Sequence, residues 1–231
     1  MRALTTLAAL LIAQPLAAQP GGRPDPATPD GENMATPVTW QVRFDDGHGD
    51  EHGHDHMTVG ADTTADVYFV NMRPGWHVTT GPAVVLYHPA STATGEWRAE
   101  TKIHLFEPGE RNEAFGLVFG GTDLGGDGVA YDYFLVRKTG EFIVKRRTGS
   151  ETSVLIPWTR HDAVVPFGPD SEGAVANTLT VAVGAGAVVF SVNGQEVAQM
   201  PRADLRTEGL VGLRINHGLN VHVEDFSVES D

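Results

Sequence analysis

From Val38 onward, apolar and polar residues alternate with a period of two through most of the chain. Val38, Trp40, Val42 and Phe44 alternate with Thr39, Gln41 and Arg43. Trp97, Ala99, Thr101, Ile103 and Leu105 fall on one side of a long segment, and Glu96, Arg98, Glu100, Lys102 and His104 on the other. Successive strand side chains point to opposite faces, so this is the pattern of strands with one buried face and one wet face. The same reading predicts strands over Val67–Val70, Val84–Tyr87, Phe115–Phe119, Tyr131–Arg137 and Phe142–Arg147. It predicts others over Leu179–Val183, Val188–Val192, Leu210–Ile215 and Val221–Val228. Within Tyr131–Arg137, Tyr131 and Tyr133 share one face while Asp132 and Phe134 share the other, so one pair must point away from the core.

Turn residues separate these segments. Lys138–Glu141 and Gly184–Gly186 read as hairpin connectors, and Asn193-Gly194 is the strongest hairpin signal because both residues tolerate positive φ. Arg202–Arg206 could close into a short helical or 3₁₀ turn, and no longer window after the N-terminus has helical periodicity. No repeat of fixed period points to a propeller or solenoid. Strands of this length joined by hairpins bury one face each when two antiparallel sheets stack. The predicted fold is therefore all-β, a two-sheet antiparallel sandwich of the jelly-roll type.

The N-terminus departs from this pattern. Arg2, the apolar run Leu4–Leu16 and small Ala17-Ala18 have the layout of an export signal over residues 1–18. The run is shorter than the ~20 residues that a membrane span needs. Residues 19–37, rich in Pro, Gly, Asp and Thr, read as a disordered linker, leaving 38–231 as the sandwich domain. A periplasmic or secreted location follows from that reading. The 231 residues contain no cysteine, so no disulfide staples the domain. A formal charge of −14 argues against nucleic acid and anionic membrane surfaces as partners.

Gly75-Trp76, the strand Trp97–Leu105 and the run Phe115-Gly116-Leu117-Val118-Phe119-Gly120-Gly121 resemble the concanavalin A-like lectin/glucanase jelly rolls. So do the hairpin into Phe142–Arg146, the Val192-Asn193-Gly194 turn and the closing Gly209–Leu213 and Val223–Val228 segments. The resemblance is nearest to the bacterial 3-keto-disaccharide hydrolase-like domains and spans roughly Val38–Val228. It implies a curved sheet whose concave face holds saccharides, and a last strand lying beside the first. The glycanases of this fold carry a Glu-x-Asp-x-x-Glu strand, which is missing here.

Three groups could carry chemistry. The first is Asp45–His56, where His48, His52, His54 and His56 stand with five carboxylates and three glycines. Neutral imidazole suits Zn²⁺ and similar ions, so this segment is either a solvated acidic loop, a flexible metal-scavenging loop or a structured active site. The second is the glycine-rich Gly120–Gly128, where Asp123 and Asp127 with backbone carbonyls offer the oxygen ligands that Ca²⁺ prefers. The third is a platform for a glycan, with Tyr131, Tyr133 and Trp97 as rings and Arg137 and Lys145 as hydrogen-bond donors. Trp76, Phe134, Trp158, Arg147, His104 and Asn216 are further candidates, while His77, His88, His161, His217 and His222 read as scattered loop, rim or surface residues.

Function is accordingly open among three readings. One is an exported carbohydrate-binding or interaction module without clear catalytic residues. Another is a glycoside or 3-keto-glycoside hydrolase or lyase. The last is a periplasmic metal-binding protein acting through its His-rich loop.

Overall fold

The computed structural model describes residues 36–37, 39–45 and 67–230. In chain order the strands are β1 (Gln41–Phe44), β2 (Val67–Val70), β3 (Trp76–Thr80), β4 (Val84–Ala93), β5 (Trp97–Phe106), β6 (Ala114–Thr122) and β7 (Ala130–Arg137). They continue as β8 (Glu141–Thr148), β9 (Glu151–Arg160), β10 (Ala174–Val183), β11 (Ala187–Val192), β12 (Gln195–Pro201), β13 (Gly209–Ile215) and β14 (Asn220–Ser230). A 3₁₀ turn, Arg202–Asp204, lies where the sequence allowed one.

The strands form two seven-stranded sheets, ordered β1-β4-β13-β6-β7-β8-β9 and β12-β11-β10-β5-β14-β3-β2. Every recorded strand pairing is antiparallel. The all-β sandwich expected from alternation is what forms. Val84, Leu86, Phe115, Leu117, Phe119, Phe134 and Phe142 of the first sheet meet Phe69, Val78, Ile103, Leu105, Leu179 and Phe190 of the second in one apolar core. Phe190 packs against both Phe119 and Phe134, at 6.1 and 5.1 Å between ring centroids, which ties the two sheets together.

Three strands lie outside the expected set: β3, β9 and β12. The last two are edge strands, so neither has a continuous buried face to create an alternating pattern. Pro157 sits in β9, a residue tolerated in sheets mainly at edges because it cannot donate to the ladder. The last strand also differs from the resemblance: β14 pairs with β5 and β3, while β1 pairs with β4 in the other sheet.

The turn between β11 and β12 has Asn193 at φ 51° and Gly194 at φ 77°, the left-handed pair that a tight hairpin requires. Asn193 does more than turn the chain. Its amide oxygen accepts the Thr178 N–H (2.8 Å) and its NH₂ donates to Ala163 O (2.8 Å) and Asn177 Oδ1 (3.0 Å). Asn193→Ala should therefore lose about 2 kcal/mol, from the severed bonds and from an alanine forced into positive φ. Urea denaturation checks this; a loss below about 0.5 kcal/mol would show that water replaces the amide.

Candidate functional site

The inward positions of the first sheet are occupied by the core, so the intervening residues land together on its outer face. There a second apolar layer forms from Val85, Tyr87, Val118, Tyr131, Tyr133, Leu135 and Ile143. Leu124 and Val129 join it from the connection between β6 and β7, which folds back over the sheet. Of the two side-chain pairs on β7, Phe134 takes the core and Tyr131 and Tyr133 take the outer face.

A buried ionic network sits in this layer. The Asp45 carboxylate, at the end of β1, accepts hydrogen bonds from Arg147 Nη1 and the Tyr131 hydroxyl and pairs with Arg214 Nη1. Its side chain has no exposed surface, and those of Arg147 and Arg214 are 8% and 11% exposed. Arg214 also donates to the Tyr131 oxygen (2.9 Å) and Asn216 Oδ1 (3.0 Å). Arg43 donates to the carbonyls of Leu124 (3.1 Å) and Gly126 (3.0 Å), pinning the glycine-rich connection, and its buried Nε has no hydrogen-bond partner. Burial raises the Tyr131 and Tyr133 hydroxyls well above the usual phenol range, so both are neutral here.

Towards β9 the face opens. Lys145 Nζ lies 5.8 Å and the Arg214 guanidinium 5.2 Å from the Tyr133 ring centroid, both over its π-face. Burial lowers Lys145 below the usual lysine range. The Arg137 guanidinium stacks on the Trp158 ring at 3.9 Å and its Nη2 pairs with Glu141 at 2.8 Å. Tyr131 and Tyr133 are 0% and 3% exposed and form a floor, while Lys145, Arg137 and Trp158 are half-buried and Val154 is exposed.

Tyr131, Tyr133, Arg137 and Lys145 are thus brought together. Trp97 is not: it lies in the inter-sheet core with its Nε1 donating to Thr207 O (2.8 Å). Its remaining edge borders a groove beside Glu96, Arg98, Gly184, Ala185 and Glu229, on the other sheet. Asp123 is occupied within its own loop, its carboxylate accepting the Gly128 N–H (2.8 Å) and its carbonyl the Gly126 N–H (2.9 Å). Asp127 is exposed. His48, His52, His54 and His56 lie outside the described residues, and among the described residues no group of three His, Cys, Asp or Glu side chains is arranged for a metal ion.

Two of the histidines expected to be scattered, His77 and His222, instead line up with His104. His77, His222 and His104 occupy directly opposed positions on β3, β14 and β5, in one row on the outer face of the second sheet. His77 is fully buried against Phe106 (4.9 Å), so it is no rim or surface residue. Its Nε2 bonds Asn220 Oδ1 and its buried Nδ1 has no partner. Glu224 lies 3.2 Å from His104 Nε2, 3.6 Å from His222 Nε2 and 3.1 Å from Lys102 Nζ. Burial lowers His77 to about 4 and also lowers His222, leaving both imidazoles neutral near neutral pH.

No family model matches the sequence, and no curated protein matches it. Solved structures do match. The carbohydrate binding module CBM66 from Bacillus subtilis superposes with a TM-score of 0.56 at 12% identity, covering 86% of this chain and 99% of its own. The fold is a two-sheet antiparallel jelly roll. A Bacteroides ovatus mixed linkage glucan PUL GH16, solved with a bound product, covers 86% of this chain and 98% of its own at TM-score 0.54 and 6% identity. A Bacteroides ovatus xyloglucan PUL GH43B covers 97% of this chain but only 41% of its own, at TM-score 0.50 and 11% identity. Identities this low carry the architecture and leave function to the residues of the site. Among the described residues no helix is long and apolar enough to cross a membrane.

Proposed function

We propose that this chain is an exported carbohydrate-binding module that takes a saccharide on the outer face of its first sheet. The observation that carries the reading is the opening near β9, where Trp158, Arg137 and Lys145 stand over a floor of Tyr131 and Tyr133. A ring with a free face accepts the C–H side of a sugar, and flanking cations donate to its hydroxyls. The architecture shared with a carbohydrate binding module of known structure supports the same reading.

The turnover alternative, hydrolysis of a glycoside or 3-keto-glycoside, needs two carboxylates free to act as acid and as base or nucleophile. On this face, among the described residues, Asp45 is engaged by two arginines and Glu141 by Arg137. Neither is free to move a proton without breaking an ion pair, which favours binding over turnover.

Affinity electrophoresis through gels containing plant and bacterial polysaccharides tests this. Wild-type protein should be retarded by at least one of them. Trp158→Ala, which truncates the ring but keeps the strand, should weaken that retardation about tenfold or more in a protein that still melts cooperatively. Retardation unaffected by Trp158→Ala would place the ligand elsewhere, and steady release of sugar would make the protein an enzyme.

A further inference from the structure

We infer that the ligand of this face is an acidic saccharide, one carrying isolated carboxylates such as uronic acid residues. The inference rests on the glycan-binding reading above and deepens it. Six cations, Arg43, Arg137, Lys145, Arg147, Arg160 and Arg214, lie along the face or its rim, and among the described residues the carboxylates that pair with them there are Asp45 and Glu141. At its margins Glu113 bonds Asn216 (3.1 Å) and Asp123 bonds its own loop. This concentration of positive charge stands out in a chain of net charge −14.

The distribution within the cluster is uneven. One buried carboxylate serves both Arg147 and Arg214, while Arg43, among the described residues, donates to carbonyls. Lys145 has no carboxylate partner among the described residues, only the face of Tyr133. A partly desolvated ammonium without a counter-charge is costly to hold, and an incoming anion relieves that cost. Neutral sugars offer hydroxyls, which accept from a cation but leave its charge uncompensated. A carboxylate answers both Lys145 and the planar fork of a neighbouring guanidinium.

The net charge narrows the class further. A densely charged polyanion approaching a protein of −14 meets long-range repulsion that one local cluster does not cancel. A saccharide with spaced single charges keeps the contact term and pays less of the repulsion. Carboxylate and sulfate ester share the chemistry of the contact, so the test must separate them.

Isothermal titration of the full-length protein with three probes does so: a xylo-oligosaccharide bearing a single uronic acid branch, the neutral xylo-oligosaccharide of equal length, and a carrageenan oligosaccharide, which is sulfated and free of carboxylate. The uronate-bearing probe should bind about tenfold or more tighter than the neutral one, and tighter than the sulfated one. Lys145→Gln should remove most of that preference with the melting temperature unchanged; Arg160→Gln, at an exposed edge position, is the second variant should the first fail to fold. Preference for the sulfated probe would overturn the carboxylate assignment. Equal or better binding of the neutral probe would overturn the acidic ligand while leaving glycan binding intact. If no polysaccharide or oligosaccharide binds at all, the glycan-binding reading fails and this inference with it.

Discussion

Asp45→Asn should lower the unfolding free energy by about 3–5 kcal/mol, the range for removing one partner of a buried ion pair. The Asp45 carboxylate is wholly enclosed and is the shared acceptor for Arg147, Arg214 and Tyr131. An asparagine keeps the shape but removes the charge, so two nearly buried guanidiniums face each other with Arg43 nearby. Mutual repulsion and uncompensated desolvation then add. For a domain of this size such a loss corresponds to a fall in melting temperature of roughly ten degrees.

An exposed pair provides the contrast. Arg98 bonds Glu100 on the wet face of β5, with side chains 52% and 35% exposed, and Arg98→Ala should cost no more than about 1 kcal/mol. Chemical denaturation of both variants makes the comparison. If Asp45→Asn lost as little as Arg98→Ala, the arginines would have to find water or other acceptors, and the Asp45 network would not be what holds β1 against β8 and β13.

How much of this was legible in the sequence depends on whether a feature lives within one strand or between strands. The wet and dry sides of Trp97–Leu105 and the split between Tyr131/Tyr133 and Asp132/Phe134 follow from alternation alone, and the two sheets obey them. The edge strands β9 and β12 escaped because their residues are exposed on both sides, so no buried face imprinted a period. The site was legible in part. Arg137 and Lys145 belong to the same hairpin as the two tyrosines, and their convergence could be read from local spacing. Asp45 could not. It opens a run of acidic residues and histidines, and only the fold reveals that Arg147 and Arg214 come to it from distant parts of the chain. The His77–His222–His104 row has the same origin: each residue is unremarkable in its own strand, and strand pairing alone aligns them.

That row makes stability depend on pH in a predictable direction. The His77 imidazole is held neutral by burial, with its folded value near 4 against 6.5 in an unfolded chain. Well above pH 6.5 neither state binds the proton, and the histidine contributes no pH dependence. Between 6.5 and about 4 the unfolded chain takes up a proton that the folded one refuses, so stability falls as the solution is acidified. The full difference corresponds to about 3 kcal/mol. Its neighbours act in the same sense. His222 is also lowered, mainly by burial. Glu224 is lowered because Lys102 and His104 outweigh the effect of its burial, so it too loses stabilising contacts as pH falls. Urea midpoints from pH 7.5 to 4 should therefore decline for the wild type. His77→Phe, which keeps a ring against Phe106, should flatten that decline by most of the 3 kcal/mol while changing little at pH 7.5. An unchanged slope in His77→Phe would mean that the proton uptake driving acid unfolding occurs at other groups, and that His77 is not buried neutral in the folded protein.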